Sequence, residues 1–111
     1  NLGRNCLIGM NSVIMDDAVI GDQSIVGAMT FVKAASVFPK RSLIVGNPAK
    51  VIKEVSDEML NWKTAGTKLY QQLPADCFES LKEVEPLREL PRSRPRQEDF
   101  YKTLREIKNK K

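Results

Sequence analysis

Histidine is absent from this 111-residue sequence. Neither a histidine-ligated metal centre nor a histidine general base can therefore come from these residues. The two cysteines, Cys6 and Cys77, are too few for a disulfide framework and are typical of a reducing compartment. No apolar run approaches the length of a signal peptide or a membrane span. The sequence predicts a cytoplasmic protein with no membrane partner.

Aromatic residues are also scarce, at 6% of the sequence, which bears on how the basic C-terminal tail is interpreted. Residues 1–87 carry nine Lys/Arg and ten Asp/Glu, whereas residues 88–111 carry nine and four, a net charge of +5. Nucleic-acid sites usually combine basic and aromatic side chains, and in this tail the only aromatic residues are Phe100 and Tyr101. We therefore expect a solvated tail helix and no nucleic-acid partner.

A six-residue repeat runs through the first half of the chain. Its large apolar positions are Leu2, Ile8, Ile14, Ile20, Val26, Val32, Phe38 and Ile44. Small residues follow at a fixed offset of four: Cys6, Ser12, Ala18, Ser24, Thr30, Ser36 and Ser42. Ordinary strand alternation explains the first set but not the second. The pattern predicts a parallel β-helix in which three hexads close a triangular coil, with the large residue inside and the small one at a tight corner.

The residues that precede the large repeat positions are apolar as well: Leu7, Val13, Val19, Ile25, Phe31, Val37 and Leu43. Strand alternation turns them outward, so that no face of the coil is polar throughout. Apolar stripes of this kind are rarely left in water. A triangular coil most naturally closes into a three-fold ring, and we therefore expect a homotrimer.

Three segments follow from the pattern. Residues 1–52 form the C-terminal coils of the β-helix, with Val51 and Ile52 as a last extended piece; residues 53–85 form a helical segment that packs on the coils; and residues 86–111 form an extended linker and a basic tail helix, Glu98 to Lys110. Ser56 is a candidate helix N-cap. We expect Gly66 to interrupt the first helix and Pro74 to end it, and a second short helix to carry Cys77, Phe78, Leu81 and Val84.

The repeats cover only about 50 residues, which is short for a solenoid. The sequence also begins within the pattern, at Asn1-Leu2-Gly3, and without an initiator methionine. We therefore expect the chain to be the C-terminal part of a longer protein.

These residues together resemble the γ-class carbonic anhydrase-like family. The likeness in the coils lies in residues 8–16, 26–28, 31–34 and 43–50, and in the C-terminal region it lies in Trp62-Lys63, Gly66-Thr67, Tyr70-Gln71 and residues 84–87. That combination is similar to the branch of the family that includes phenylacetic acid degradation and carnitine operon proteins. The C-terminal segments are the more discriminating part, because many hexapeptide acyltransferases share the Gly-x-Pro-Ala-Lys element.

The resemblance implies a homotrimeric left-handed β-helix with zinc bound between subunits by three histidines from two neighbouring chains. It also implies CO2 hydration or acyl-CoA thioester hydrolysis, with bicarbonate, CO2 or an acyl-CoA as the small-molecule substrate. Since this sequence has no histidine, we expect zinc to belong to the full-length protein and this chain to supply no metal ligand. Cys6 is expected to serve packing, and Asp16, Asp17 and Asp22 to form a solvated loop rather than a calcium site.

Two residues are candidate catalytic positions under this resemblance. The amide of Asn11 lies one coil below the expected ligand level and could hydrogen-bond a bound water or a substrate. Tyr70 lies in a C-terminal helix that packs near a subunit interface in relatives, where its hydroxyl could orient a substrate. A corner role for Asn11 and a packing role for Tyr70 are the alternatives. No residue is assigned to cofactor binding.

Two other functions stay open. The first is a hexapeptide-repeat acyltransferase that uses acetyl-CoA or acyl-CoA and takes its basic catalytic group from residues outside this sequence. The second is a non-catalytic trimerisation module. Paired histidines just before Asn1 would favour the zinc enzyme. A lone histidine on an inserted loop would favour the acyltransferase, and the absence of histidine would favour the trimerisation module.

Overall fold

A computed structural model describes residues 1–89 together with Ser93 and Asn109. It contains eight strands and one helix in the described part of the chain. These are β1 Leu7–Ile8, β2 Val13–Ile14, β3 Val19–Ile20, β4 Ile25–Val26, β5 Phe31–Val32, β6 Val37–Phe38, β7 Ser42–Val45, β8 Lys50–Glu54 and α1 Asp57–Ser80. The predicted tail helix, Glu98 to Lys110, lies outside the described residues.

The first six strands and β7 stack as parallel ladders. Leu7 pairs with Ile25 and Ile25 with Leu43, so that each coil takes 18 residues, or three hexads. The strand pairs β2–β5 and β3–β6 repeat the same step on the other two sides. The chain is therefore a parallel β-helix, as the repeat predicts.

The large repeat residues form the interior. Ile20, Val26, Val32 and Ile44 are fully buried, and Ile8, Ile14 and Phe38 pack against them while half-buried. Leu2, which also belongs to the repeat, is 52% exposed and forms only an isolated bridge with Ile20. The frame read from the sequence is confirmed, and Leu2 at the start of the stack is the most exposed of the large repeat residues.

Every corner of the coils contains one residue in the left-handed backbone region. These residues are Asn5, Asn11, Asp17, Gln23, Met29, Ala35 and Arg41, with φ between 53° and 60°. Their spacing of six places them in three columns along the corners, and the column of Asn5, Gln23 and Arg41 is the one that reaches all three coils. Because non-glycine residues adopt this region at a cost, the coil geometry rather than local preference imposes it.

At three corners the small repeat residue donates a hydrogen bond to the coil above. Cys6 Sγ donates to the Gly21 carbonyl at 3.3 Å, Ser12 Oγ to Gly27 at 2.8 Å and Ser24 Oγ to Pro39 at 3.3 Å, a constant step of 15 residues. The same step would join Thr30 to Val45. At Val45 the chain leaves the coil for an antiparallel pairing with Lys50, and the buried Thr30 hydroxyl has no hydrogen-bond partner among the described residues.

The last coil is closed by the antiparallel pair β7–β8, with a register shift between Leu43 and Ile44. This confirms that Val51 and Ile52 continue as extended chain. Ser56 then caps α1, since its Oγ accepts a hydrogen bond from the Met59 N–H at 3.3 Å.

The prediction of two helices was wrong. Helix α1 continues through Gly66 and Pro74 to Ser80, so Cys77 and Phe78 belong to it, whereas residues 81–89 are not helical. Proline removes one backbone donor and crowds the preceding turn, yet α1 continues through Pro74 for another six residues. The described residues include no helix suited in length and apolarity to crossing a membrane.

The chain divides into two compact units, residues 1–64 and 65–111. The first contains the coils, β8 and the first turns of α1. The segment boundaries after residues 52 and 85 remain predictions from the sequence.

Candidate functional site

Asn11 lies at an exposed corner of the first coil. Its φ of 56° belongs to the left-handed region, and the neighbouring coil follows closely, because the Met29 N–H donates to the Met10 carbonyl at 3.0 Å. Asparagine is among the non-glycine residues that tolerate this conformation best. The corner role thus has direct structural support, while the catalytic role of Asn11 stays a prediction.

Tyr70 lies on α1 within the second unit, and its side chain is 74% exposed. Leu69 and Leu73 on the same helix are also exposed. Within its unit the hydroxyl of Tyr70 is open to solvent rather than packed. Its proposed role in orienting a substrate stays a prediction.

A buried lysine that sequence reasoning missed joins α1 to the first coil. Lys63 is 5% exposed, and its Nζ donates to the side-chain oxygen of Asn5, whose own amide donates to Thr64 Oγ1 at 3.1 Å. Burial lowers the pKa of the Lys63 ammonium from its ordinary value of 10.5, and electrostatic attraction to Cys6 opposes that shift. The signal in the sequence is the spacing of four from Met59, which places Lys63 on the buried face of the helix.

The opposite end of the same corner column holds the start of α1. Arg41 donates to the Val55 carbonyl through Nε at 3.1 Å and Nη2 at 2.7 Å, and Nη2 also contacts Asp57 Oδ1 at 2.6 Å. Asn5 and Arg41 both belong to the corner column that continues through Gln23. The first turns of α1 are therefore fastened at the first and the last coil. This arrangement positions the first turns of α1 and leaves Lys63 little access to solvent or substrate.

Zinc does not fit the side chains present. The sequence has no histidine, and within the described part of the chain no group of three or more His, Cys, Asp or Glu could hold a metal. The thiol of Cys6 donates to a backbone carbonyl at its corner, in agreement with a packing role. Asp22 Oδ1 accepts from the Arg4 N–H at 2.7 Å, which is a turn contact.

Three of the four methionines lie on or beside one outer side of the coils. Met10 is 81% exposed, Met29 is 69% exposed, and Met15 is also exposed, next to the exposed Val13 of β2. We call these four residues the methionine surface. The fourth methionine, Met59, is 9% exposed and lies on the buried side of α1.

Comparison with protein families gives one match in the coil region. Residues 1–34 match the family described as bacterial transferase hexapeptide (six repeats). The matched stretch contains β1 to β5, so it coincides with the regular coils.

The carnitine operon proteins CaiE of Shigella flexneri serotype 5b and of Escherichia coli O139:H28 are each 54% identical over 95 residues, which is 86% of this chain. These residues are 48% of each relative, so the chain spans about half the length of the curated relatives it matches.

Two solved structures share the fold. A candidate acetyltransferase from Bacillus cereus has a TM-score of 0.67 and 32% identity, covering 73% of this chain and 46% of that one. A hexapeptide transferase family protein from Anaplasma phagocytophilum has a TM-score of 0.64 and 27% identity; the match covers 68% of this chain and 45% of that protein's chain.

Proposed function

The chain belongs to the hexapeptide-repeat proteins and is a relative of the carnitine operon protein CaiE, and on this basis we propose that it forms part of a homotrimeric zinc enzyme of the γ-carbonic anhydrase-like type. The reaction would be CO2 hydration or hydrolysis of an acyl-CoA thioester. One observation carries the proposal: the identity of 54% to CaiE covers 95 residues and so extends well beyond the repeat that all hexapeptide proteins share.

In this proposal the chain contributes the scaffold of the enzyme and none of the metal ligands. Its donor set does not fit zinc, so the metal ligands would be contributed by residues outside this sequence. What the chain supplies is a stack of coils and the first turns of a helix, which Arg41 and Asn5 fasten to it. Rigid support of that kind is what a metal site needs to keep its ligands in register.

Two outward sides of the coils support a trimer. The methionine surface lies on and beside the β2–β5 side, and the β3–β6 side presents Val37, which is 73% exposed. Contact between one side of a copy and the other side of the next is heterologous, and it closes into a ring when the rotation is three-fold. We propose this ring, with left-handed coils, as the assembled form.

Within that enzyme, Asn11 and Tyr70 are the proposed polar contacts to substrate. Asn11 offers an amide beside the methionine surface, and Tyr70 offers an exposed hydroxyl. An amide and a phenol hydroxyl can each donate and accept hydrogen bonds. Their contribution would be orientation through hydrogen bonds.

An acyltransferase is the second candidate. It is favoured by the solved neighbours, of which one is a candidate acetyltransferase and the other a hexapeptide transferase family protein. Such an enzyme would take the acyl group from acetyl-CoA or another acyl-CoA. A non-catalytic trimerisation module is the third reading, and it requires only the coils.

A chimera tests the proposal. The part of Escherichia coli CaiE that precedes the matched region is joined to this chain, and zinc content is measured after chelation and repurification. We expect the chimera to bind zinc and to hydrate CO2 or hydrolyse an acyl-CoA, and the 111-residue chain to do neither. Zinc retained by the 111-residue chain alone would contradict the proposed location of the ligands, and acetyl transfer without metal would favour the acyltransferase.

Tyr70→Phe and Asn11→Gly in the chimera test the two site residues; glycine removes the amide and still suits the positive φ of the corner. A positioned hydrogen bond to the substrate predicts a loss of turnover of about tenfold or more, with unchanged unfolding. Ser56→Thr is the matched control, because it keeps the helix cap and lies outside the proposed site. Unchanged turnover in both variants would leave Asn11 as a corner residue and Tyr70 as a surface residue.

A further inference from the structure

The composition of the methionine surface is not explained by folding. Met29 occupies a left-handed corner with φ 60°, a conformation that favours glycine, asparagine and aspartate. Its large apolar side chain is also exposed to water. Asn11 occupies the equivalent corner of the preceding coil, with φ 56°, and asparagine is suited to that backbone conformation. Methionine at this corner is thus unfavourable on two counts for the isolated chain.

Met10 is a second large apolar residue exposed to water on this surface. It is the most exposed of the four methionines, and its carbonyl accepts the hydrogen bond from the Met29 N–H, so the two residues are neighbours on consecutive coils. Met15 and Val13 continue the apolar area along the outer side of β2. Flexible thioether side chains suit a surface that becomes buried on association, and methionine is enriched at interfaces.

We propose that the methionine surface is an oxidation-sensitive contact between copies of this chain, in which peroxide acts on Met10 and Met29 of the unassembled chain and prevents assembly. The inference rests on the proposed trimer. The partner is a second copy, because the chain itself presents a second exposed apolar residue, Val37, on its β3–β6 side.

The chemistry is a two-electron oxidation of a thioether. The sulfur lone pair forms a bond to one oxygen of hydrogen peroxide while the O–O bond breaks, which gives methionine sulfoxide and releases water. The product is a strong dipole at the position where the interface would be apolar. Burying such a group without a hydrogen-bond partner opposes association, whereas in the unassembled chain it stays in water at no cost. Methionine sulfoxide reductase reverses the modification.

The internal control is Met59. It is nearly buried within the first unit, so it should react with peroxide at least about tenfold more slowly than Met10 or Met29, because susceptibility follows exposure. Peptide mass spectrometry after limited peroxide treatment measures all four rates. The treatment is done on dilute and on concentrated protein, and we expect protection of Met10 and Met29 only in the concentrated, assembled sample.

Sedimentation then links oxidation to assembly. Oxidised chain should need at least about tenfold higher concentration for half-assembly than untreated chain, and reductase should restore the original value. The triple variant Met10→Leu, Met15→Leu and Met29→Leu keeps the apolar volume but cannot form sulfoxide on this surface, so its assembly should resist peroxide, while Met59→Leu should remain as sensitive as the unmodified chain.

Three outcomes would count against the inference. A trimer that survives full oxidation of Met10 and Met29 overturns the oxidation control and leaves the trimer standing. Equal oxidation of these residues in dilute and assembled samples shows that the contact lies elsewhere. Untreated chain that sediments as a monomer at every concentration overturns the proposed assembly and this inference together.

Discussion

Ser24 and Thr30 occupy equivalent repeat positions, yet loss of the hydroxyl should lower stability at Ser24 and leave it unchanged or slightly raised at Thr30. Both side chains are fully buried. Ser24 Oγ donates to the Pro39 carbonyl at 3.3 Å and accepts from the Ser42 N–H at 3.1 Å. The Thr30 hydroxyl has no partner among the described residues. The variants Ser24→Ala and Thr30→Val therefore form a matched pair.

The expected loss for Ser24→Ala comes mainly from one backbone donor. Pro39 keeps a hydrogen bond in the variant, because its carbonyl also accepts from Ser42 Oγ at 2.7 Å. The Ser42 N–H loses its acceptor in a buried position. A buried donor without a partner costs about 1–3 kcal/mol, so the free energy of unfolding should fall by about that amount.

Thr30→Val replaces a buried hydroxyl with a methyl group of similar shape. The step of 15 residues that serves the earlier corners points from Thr30 to Val45, which pairs with Lys50 instead. A polar group that is buried without a partner lowers stability by about 1–3 kcal/mol. Its removal should leave the free energy of unfolding unchanged or raise it by about 1 kcal/mol.

Urea unfolding followed by circular dichroism compares both variants with the unmodified chain. One protein concentration must be used throughout, since assembly stabilises the folded chain by mass action. The reasoning fails if Thr30→Val lowers stability by more than about 1 kcal/mol, because the hydroxyl would then have a partner. It also fails if Ser24→Ala has no effect.

Further predictions concern the core, the buried lysine and the corners. Ile20→Asp places an unpaired carboxylate in the sealed interior and should lower stability by several kcal/mol, about 3 or more; an unchanged melting temperature would refute the repeat frame. Because the folded pKa of Lys63 lies below 10.5, the folded chain binds fewer protons in that alkaline window. Its stability should therefore rise with pH between the lowered pKa and 10.5, relative to Lys63→Met, and parallel pH profiles of the two proteins would contradict the assignment. Met29→Asn should raise the melting temperature of dilute chain, because asparagine suits φ 60°, and should weaken assembly in sedimentation; lower stability at high dilution would exclude backbone strain at this corner.

The coils could be predicted because their sequence signal is redundant. The interior position of Val26 and the corner position of Ser24 follow from the same period, and the step of 18 residues between Leu7 and Ile25 then fixes the strand pairing. Periodicity carries no such information for Pro74. Proline usually ends a helix, and only the structure shows that α1 continues through Pro74.

The polar contacts that fasten α1 were beyond prediction for a different reason. Lys63 and Asn5 are 58 residues apart, and the Arg41 contact with Asp57 spans 16. A single sequence shows charge and local spacing but not which distant side chains meet. Lysine also usually lies at the surface. Its residue type therefore predicts exposure for Lys63, although its spacing from Met59 places it on the buried face of α1.

Asn11 and Met29 share one corner column and show how a functional signal can be separated from a structural one. The coil requires positive φ at both positions, with 56° at Asn11 and 60° at Met29. Asparagine satisfies that requirement, so the backbone alone accounts for Asn11 without any role in catalysis. Methionine satisfies it poorly and adds exposed apolar surface. Positive φ alone does not single out Met29, because Gln23 and Ala35 adopt it as well. Its exposed apolar side chain is what makes Met29 a candidate for selection by an interaction.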